Sequence, residues 1–260
     1  MPFASVIAAT DLTERSAQVP ARARQLAQSP GAQVLLAHVA PPEGKKRPPL
    51  AETEAELHAL AAEAGADGVR LLSGDAGTAL AALAEAEEAG LIVLGLHRER
   101  RVLDLLRLTT MERIVLTSPC PVLIARDPAQ KPYAQVLLAT DFSPASAAAL
   151  ITAARVAPQA EFHAIHALQV PLGRDAEAAM ARAEAAREAF LATPGLPPLA
   201  EPPEIIPGGV HQVLAYRHAE LSADLLCVGA HGHAGGTTLD PYARDLMRAP
   251  PSDVLVAHAP

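Results

Sequence analysis

Ala223-Asp-Leu-Leu-Cys-Val-Gly-Ala-His-Gly-His-Ala-Gly-Gly-Thr-Thr238 joins an unbroken apolar run to a glycine-rich turn. Leu225, Leu226, Cys227 and Val228 have the pattern of a parallel strand covered on both faces. Gly229, Gly232, Gly235 and Gly236 let the backbone turn with positive φ and approach a ligand with no Cβ in the way. That is the chemistry of a phosphate cradle, although the same glycines also serve a plain flexible loop. A second copy favours the cradle: Leu91-Ile-Val-Leu-Gly95 repeats the run, and both copies continue as Gly-x-His.

Outward from these two strands the whole chain repeats. Ser5-Val-Ile-Ala-Ala-Thr-Asp11 and Lys131-Pro-Tyr-Ala-Gln-Val-Leu-Leu-Ala-Thr-Asp141 read as buried strands closed by Asp. A capped helix is expected after each: Ser16 precedes Val19, Ala23, Leu26 and Ala27, and Ser143-Pro144 precedes Ala149, Leu150, Ala153 and Val156. Strands ending in His follow, Gln33 to His38 and Glu161 to His166. A helix with Glu52, Glu54 and Glu56 in its first turns and Leu57, Leu60, Ala61 and Ala64 after them, and its counterpart over about Arg174 to Ala192, lead to short strands, Val69 to Leu72 and Glu204 to Ile206. After further helices and the paired central strands, each half closes with a helix and a strand, Val122 to Ala125 and Val254 to Ala257.

Strands alternating with helices predict an α/β fold: two tandem, doubly wound, five-stranded, mainly parallel sheets. The expected domains are residues 1–127 and 132–260, with Asp127 to Lys131 as linker. Ligands of such sheets bind at the carboxyl ends of the strands, where Asp11, Asp141 and the loops after Gly95 and Gly229 lie. An apolar fifth strand at a sheet edge invites pairing unless covered. The expectation is therefore an internal pseudo-dimer through the two last strands, with further homodimerisation left open.

Half of the 260 residues are apolar, yet no uninterrupted apolar run is long enough to span a membrane. The first residues enter a strand-like run with no basic or long apolar leader, so the protein is expected in the cytoplasm, without a membrane partner. Only Cys120 and Cys227 occur, at non-equivalent places, and both are expected to be free thiols. A net charge of -8 argues against nucleic acid as partner, and an aromatic content of 3% without Trp argues against a base-stacking platform. Lys45-Lys46-Arg47 reads as a solvated charge run, whereas Arg98, Arg100 and Arg101 follow a strand end where a ligand could sit.

The strand-end histidines His38 and His166 are either ligand contacts or rings satisfied by their own backbone. Asp11 and Asp141 suit a ribose or a metal, and equally well a cap on the next helix. His231-x-His233 offers two metal ligands with no third group at a suitable spacing, so no metal is expected. Neither a nucleophile with its base nor paired carboxylates stand out, and no catalytic residue is assigned.

Ala-Thr-Asp after the first strand, His after the second, Ala-Asp-Leu-Leu-Cys-Val-Gly-Ala-His-Gly at the fourth and Ser118-Pro-Cys-Pro-Val-Leu-Ile before the fifth jointly resemble the universal stress protein family. The likeness covers essentially the whole chain, as two tandem Rossmann-like domains. It implies a site at which the first-strand Asp and the end of the second strand hold adenine, and a Gly-x-x-Gly-x9-Gly-Ser/Thr loop holds ribose and phosphates. The positions it implies are Thr140, Asp141, His166, Gly229, His231, Gly232, Gly235 and Gly236, with Asp11 and Gly95 in the first half; the ligand is ATP or AMP.

The loop departs from that pattern in both halves. Arg98 and Leu108 stand at two glycine places of the first half, and the Gly-Ser place of the second holds Asp240-Pro241 or Tyr242-Ala243. Proline lacks an N–H and aspartate repels phosphate. The expectation is a stress-response ligand-sensing or interaction module, not an enzyme, with degenerate nucleotide loops. The alternative is an adenine-nucleotide binder with at most slow hydrolysis. A ligand is expected in the second half, because Arg98 and Leu108 would fill the first.

Overall fold

The computed structural model describes residues 3–27, 29–41, 49–96, 108–230 and 239–258. Two compact units divide the chain, one built on Met1–Lys131 with Met247–Pro250 and one on Pro132–Leu246 with Pro251–Pro260.

In the first unit the strands are β1 (Ser5–Ala9), β2 (Gln33–Ala40), β3 (Gly68–Ser73), β4 (Leu91–Leu94) and β5 (Val122–Ile124). Between them run α1 (Val19–Leu26), α2 (Leu50–Ala64), α3 (Ala76–Ala86) and α4 (Thr110–Thr117). The second unit repeats this with β6 (Gln135–Ala139), α5 (Pro144–Val156), β7 (Glu161–Leu168), α6 (Ala176–Leu191), β8 (Glu204–Pro207), α7 (Val210–Leu221), β9 (Leu225–Ala230), α8 (Pro241–Arg248) and β10 (Asp253–His258).

Within the units the strand orders are β3-β2-β1-β4-β5 and β8-β7-β6-β9-β10, the same doubly wound path twice. The pairs are parallel: Ala9 stands opposite Ala37 on one side and Leu94 on the other, and Ala139 opposite Ile165 and Val228. The order reverses beside β1 and β6, so the carboxyl ends of β1, β2 and β4, and of β6, β7 and β9, surround one crevice in each unit.

The apolar runs behave as buried strands should. Leu91, Ile92 and Val93 are wholly buried, as are Leu225, Leu226 and Cys227. Helices cover both faces, and α5 turns Ala149, Leu150 and Ala153 inward at helical spacing.

Two local expectations are corrected. Strand pairing of β1 ends at Ala9, short of Asp11, and Ser16 does not cap the next helix. A 3₁₀ turn, Glu14–Ser16, comes first and is capped by Thr13, while α1 starts after Gln18 with no side-chain cap. Ser16 turns back toward Asp11, which removes it from the capping role. In the second half Ser143 does cap its helix, with its side chain accepting from the Ser146 N–H and Pro144 in the first turn.

Candidate functional site

The same constellation forms at the end of the first strand of each unit. Thr10 Oγ1 accepts from the Leu12 N–H at 3.0 Å, and Thr140 Oγ1 from the Phe142 N–H at 2.8 Å. These bonds hold Leu12 and Phe142 at φ 58° and 63°, a left-handed conformation that side-chain-bearing residues seldom adopt. Strained backbone of this kind gathers at sites that fix nearby groups. Asp11 Oδ1 accepts from the Thr13 N–H at 3.0 Å, from Thr13 Oγ1 at 2.7 Å and from Ser16 Oγ at 2.7 Å. Asp141 Oδ1 accepts from the Ser143 N–H at 3.0 Å and Ser146 Oγ at 2.7 Å. Burial alone would raise the Asp11 pKa, but the bonds from Thr13 and Ser16 outweigh it and hold the carboxyl below its ordinary value.

The strand-end histidines are anchored alike. His38 Nδ1 lies 2.9 Å from Thr10 O, and His166 Nδ1 lies 2.8 Å from Thr140 O. A carbonyl only accepts, so Nδ1 carries the proton and each ring is locked in direction. In the second unit Phe142 adds a tilted ring contact to His166 with centroids 5.0 Å apart, and Phe190 backs Phe142 at 5.7 Å.

A cavity opens above each constellation, of about 190 Å³ in the first unit and about 180 Å³ in the second. Thr10, Asp11, His38 and Gly95 line the first; Thr140, Asp141, His166 and Gly229 line the second. Six of the sequence-derived positions are thus brought to two equivalent places. His231, Gly232, Gly235 and Gly236 lie outside the described residues, as do His233, Arg98, Arg100, Arg101 and Lys45-Lys46-Arg47.

Geometry changes the reading of the two central glycines. A Cβ on Gly229 would stand 2.5 Å from the backbone of Ala145 and Ser146, and one on Gly95 would stand 2.5 Å from Arg15 O. Both lack a side chain because the strand end passes against the backbone that follows the Asp turn. This packing requires glycine at both places whatever ligand the loops take.

Leu108 does not fill the first cavity. It is 37% exposed and stands outside the lining, where Leu80, Met111 and Ile114 contribute instead. The expected steric asymmetry between the halves is therefore not carried by Leu108. A different asymmetry exists: Asp240 and Tyr242 line the second cavity, Thr110 and Met111 the first. Asp240 Oδ1 accepts from the Tyr242 N–H at 2.8 Å, and Pro241 is the first helical residue, so Asp240 caps α8.

Phe142 and the pair Ser16 and Ser146 were missed as site residues. Their signal was available, since Asp-x₄-Ser occurs at the same place in both halves and an aromatic residue directly follows one of the two aspartates.

Among the described residues no three His, Cys, Asp or Glu side chains gather as metal ligands. No described helix is long and apolar enough to cross a membrane. Both cysteines are free and buried, and burial raises both thiol pKa values; Ser118 partly offsets this at Cys120.

The model of the universal stress protein family matches residues 2–126 and again 132–258. The chain belongs to the universal stress protein family. A solved structure from Pseudomonas aeruginosa assigned to the family is 22% identical, with 98% of this chain and 93% of that one covered at a TM-score of 0.69. A universal stress protein from Archaeoglobus fulgidus is 19% identical, covering 98% and 96% at a TM-score of 0.67. A functionally unknown protein from Pseudomonas aeruginosa is 20% identical, covering 99% and 93% at 0.65. At such identities these likenesses show the fold alone. The search of curated proteins gives no match.

Proposed function

We propose that this tandem universal stress protein is a non-catalytic, cytoplasmic ligand-sensing module that takes an adenine-type small molecule in its second-half cavity. The observation that carries the proposal is the pair of cavities at the carboxyl ends of the strands, each framed by a Thr-Asp turn and a direction-locked His. Such a frame offers hydroxyl, carboxylate and imidazole groups around an apolar floor, the usual make-up of a small-molecule site. The second half is favoured because Tyr242 gives its cavity a phenol that the first lacks.

A sensing role without catalysis is supported by how the reactive-looking groups are used. His166 Nδ1 is bound to a backbone carbonyl and so offers no base at that nitrogen, while Asp141 Oδ1 takes the Ser143 N–H and the Ser146 hydroxyl and thereby ties its turn to the start of α5. The rival reading, a nucleotide hydrolase of low turnover, uses the same cavity.

Calorimetry with adenosine, AMP and ATP on the full chain tests the proposal, beside an assay for ADP release. Asp141→Ala is expected to weaken binding about ten- to a hundredfold, the scale of losing hydrogen bonds to a charged group, and Asp11→Ala to change it little. No ADP should form above the protein-free background. Loss of binding in Asp11→Ala alone, or sustained ATP turnover, overturns it.

A further inference from the structure

The second-half cavity carries a group that its counterpart lacks. Tyr242, the second residue of α8, lines it beside Asp240. The ring of His211, on the first turn of α7, meets the Tyr242 ring edge-on, with centroids 5.0 Å apart and planes at 64°. His211 Nε2 in turn faces Asp245 Oδ2 at 3.6 Å. Tyr242 is therefore braced from the neighbouring helix rather than free to swing.

Its hydroxyl is a different matter. No described residue donates to it or accepts from it, although burial raises its pKa and so keeps its proton in place at neutral pH. With no partner among the described residues, this half-buried hydroxyl is available to water or to a ligand acceptor. Protonated, it presents one O–H donor.

The charge around that donor has one sign. Among the described residues lining the cavity the carboxylates are Asp141 and Asp240, and there is neither Lys nor Arg. A phosphate entering there meets repulsion, and a low-dielectric site makes that repulsion larger than in water. Pro241, at the helix start, has no N–H to offset it.

We infer that the second-half cavity selects an uncharged ligand of the nucleoside class, that Tyr242 recognises it by donating its hydroxyl hydrogen to a ligand acceptor, and that Asp240 turns anionic ligands away. The inference rests on the ligand-sensing proposal and narrows its adenine-type small molecule to an uncharged nucleoside. Tyr242 and Asp240 are specificity-determining residues, not catalytic ones.

The test is titration of adenosine, AMP and ATP into the full chain and its Tyr242→Phe and Asp240→Asn variants. Wild type should bind adenosine at least about tenfold more tightly than ATP. Tyr242→Phe keeps the ring and its brace and should weaken adenosine binding about tenfold, the scale of one unmade hydrogen bond. Asp240→Asn should leave adenosine binding nearly unchanged and narrow the gap to ATP severalfold. Adenosine binding that is unaltered in Tyr242→Phe, or ATP binding as tightly as adenosine in wild type, overturns this inference and leaves the ligand-sensing proposal standing. Should Tyr242→Phe fail to fold, the Asp240→Asn gap decides. A wild type that binds none of the three compounds overturns the ligand-sensing proposal itself.

Discussion

Gly229 and Gly95 show how a single residue can be read two ways with opposite experimental consequences. If the missing side chain served a ligand, Gly229→Ala would spare the fold and lose binding. The geometry instead puts an added methyl 2.5 Å from the backbone of Ala145 and Ser146, atoms that cannot swing aside like a side-chain end. Overpacking of this kind costs about 1–3 kcal/mol, occasionally more. Gly229→Ala and Gly95→Ala should each lower the urea midpoint accordingly, with no ligand present. Unchanged midpoints would return the glycines to a ligand role. The glycine positions were legible in the sequence because glycine follows the same apolar run twice. The packing that requires them was not, because the atoms they touch come from the turn after the first strand, about 80 residues earlier. Tyr242 was legible only as one of two candidates for the Gly-Ser place; its contact with His211 was not, because that ring comes from a different helix.

At the scale of elements, β7 carries two histidines with different fates. His166 lines the cavity two residues before the strand ends at Leu168, while His163 is buried within the strand in a charged cluster. His163 Nδ1 faces Glu201 Oε1 at 3.1 Å and its Nε2 faces Gln135 Oε1 at 3.0 Å. Glu161 on the same strand, Glu204 on β8 and Arg217 on α7 complete the surroundings, with Arg217 paired to Glu201, Glu204 and Glu220. Burial first, and the Arg217 charge second, hold the His163 pKa below its usual 6.5, against the pull of Glu161 and Glu204. The unfolded chain therefore takes up this proton near 6.5 and the folded chain only at lower pH. Between those values protons favour the unfolded state, so stability falls as pH is lowered through that window, and above it the ring contributes no pH dependence. Thermal unfolding followed from about pH 7.5 to about pH 5 should show a shallower loss in His163→Gln than in wild type. An identical slope in the two proteins would show that the ring does not titrate in that range. The strand itself was readable from its apolar alternation and terminal His. The cluster was not, since it is assembled from β6, β7, β8, α7 and the segment before β8, a juxtaposition set by sheet order rather than by local spacing.

At the scale of the molecule, the duplication was legible because each half repeats the same strand ends: Ala-Thr-Asp, a terminal His, then Gly-x-His. That repetition is enough to dictate the doubly wound order observed in both units. What it leaves open is the independence of the halves, and the fifth strands bear on this. Taken singly, each unit's sheet ends at β5 or β10. Val122, Leu123 and Ile124 on one, and Val254, Leu255 and Val256 on the other, are apolar and wholly buried. Neither run contains the Lys, Pro or bulge that blunts a natural edge, so an isolated half would present an apolar ladder able to pair with another chain. We propose domain limits of 1–127 and 132–260, and expect the two halves, expressed separately with the cut between Asp127 and Lys131, to associate with themselves or with each other. Analytical ultracentrifugation reads the association, and hydrogen exchange of the β5 and β10 amides reads the edge. In the intact chain those amides should be protected at least about a hundredfold over loop amides, reflecting an opening cost of about 2.7 kcal/mol or more. Two monomeric halves that unfold cooperatively and ignore each other, with fast exchange in both last strands of the intact protein, would mean that each domain manages its own edge and that the duplication serves the two cavities rather than the fold.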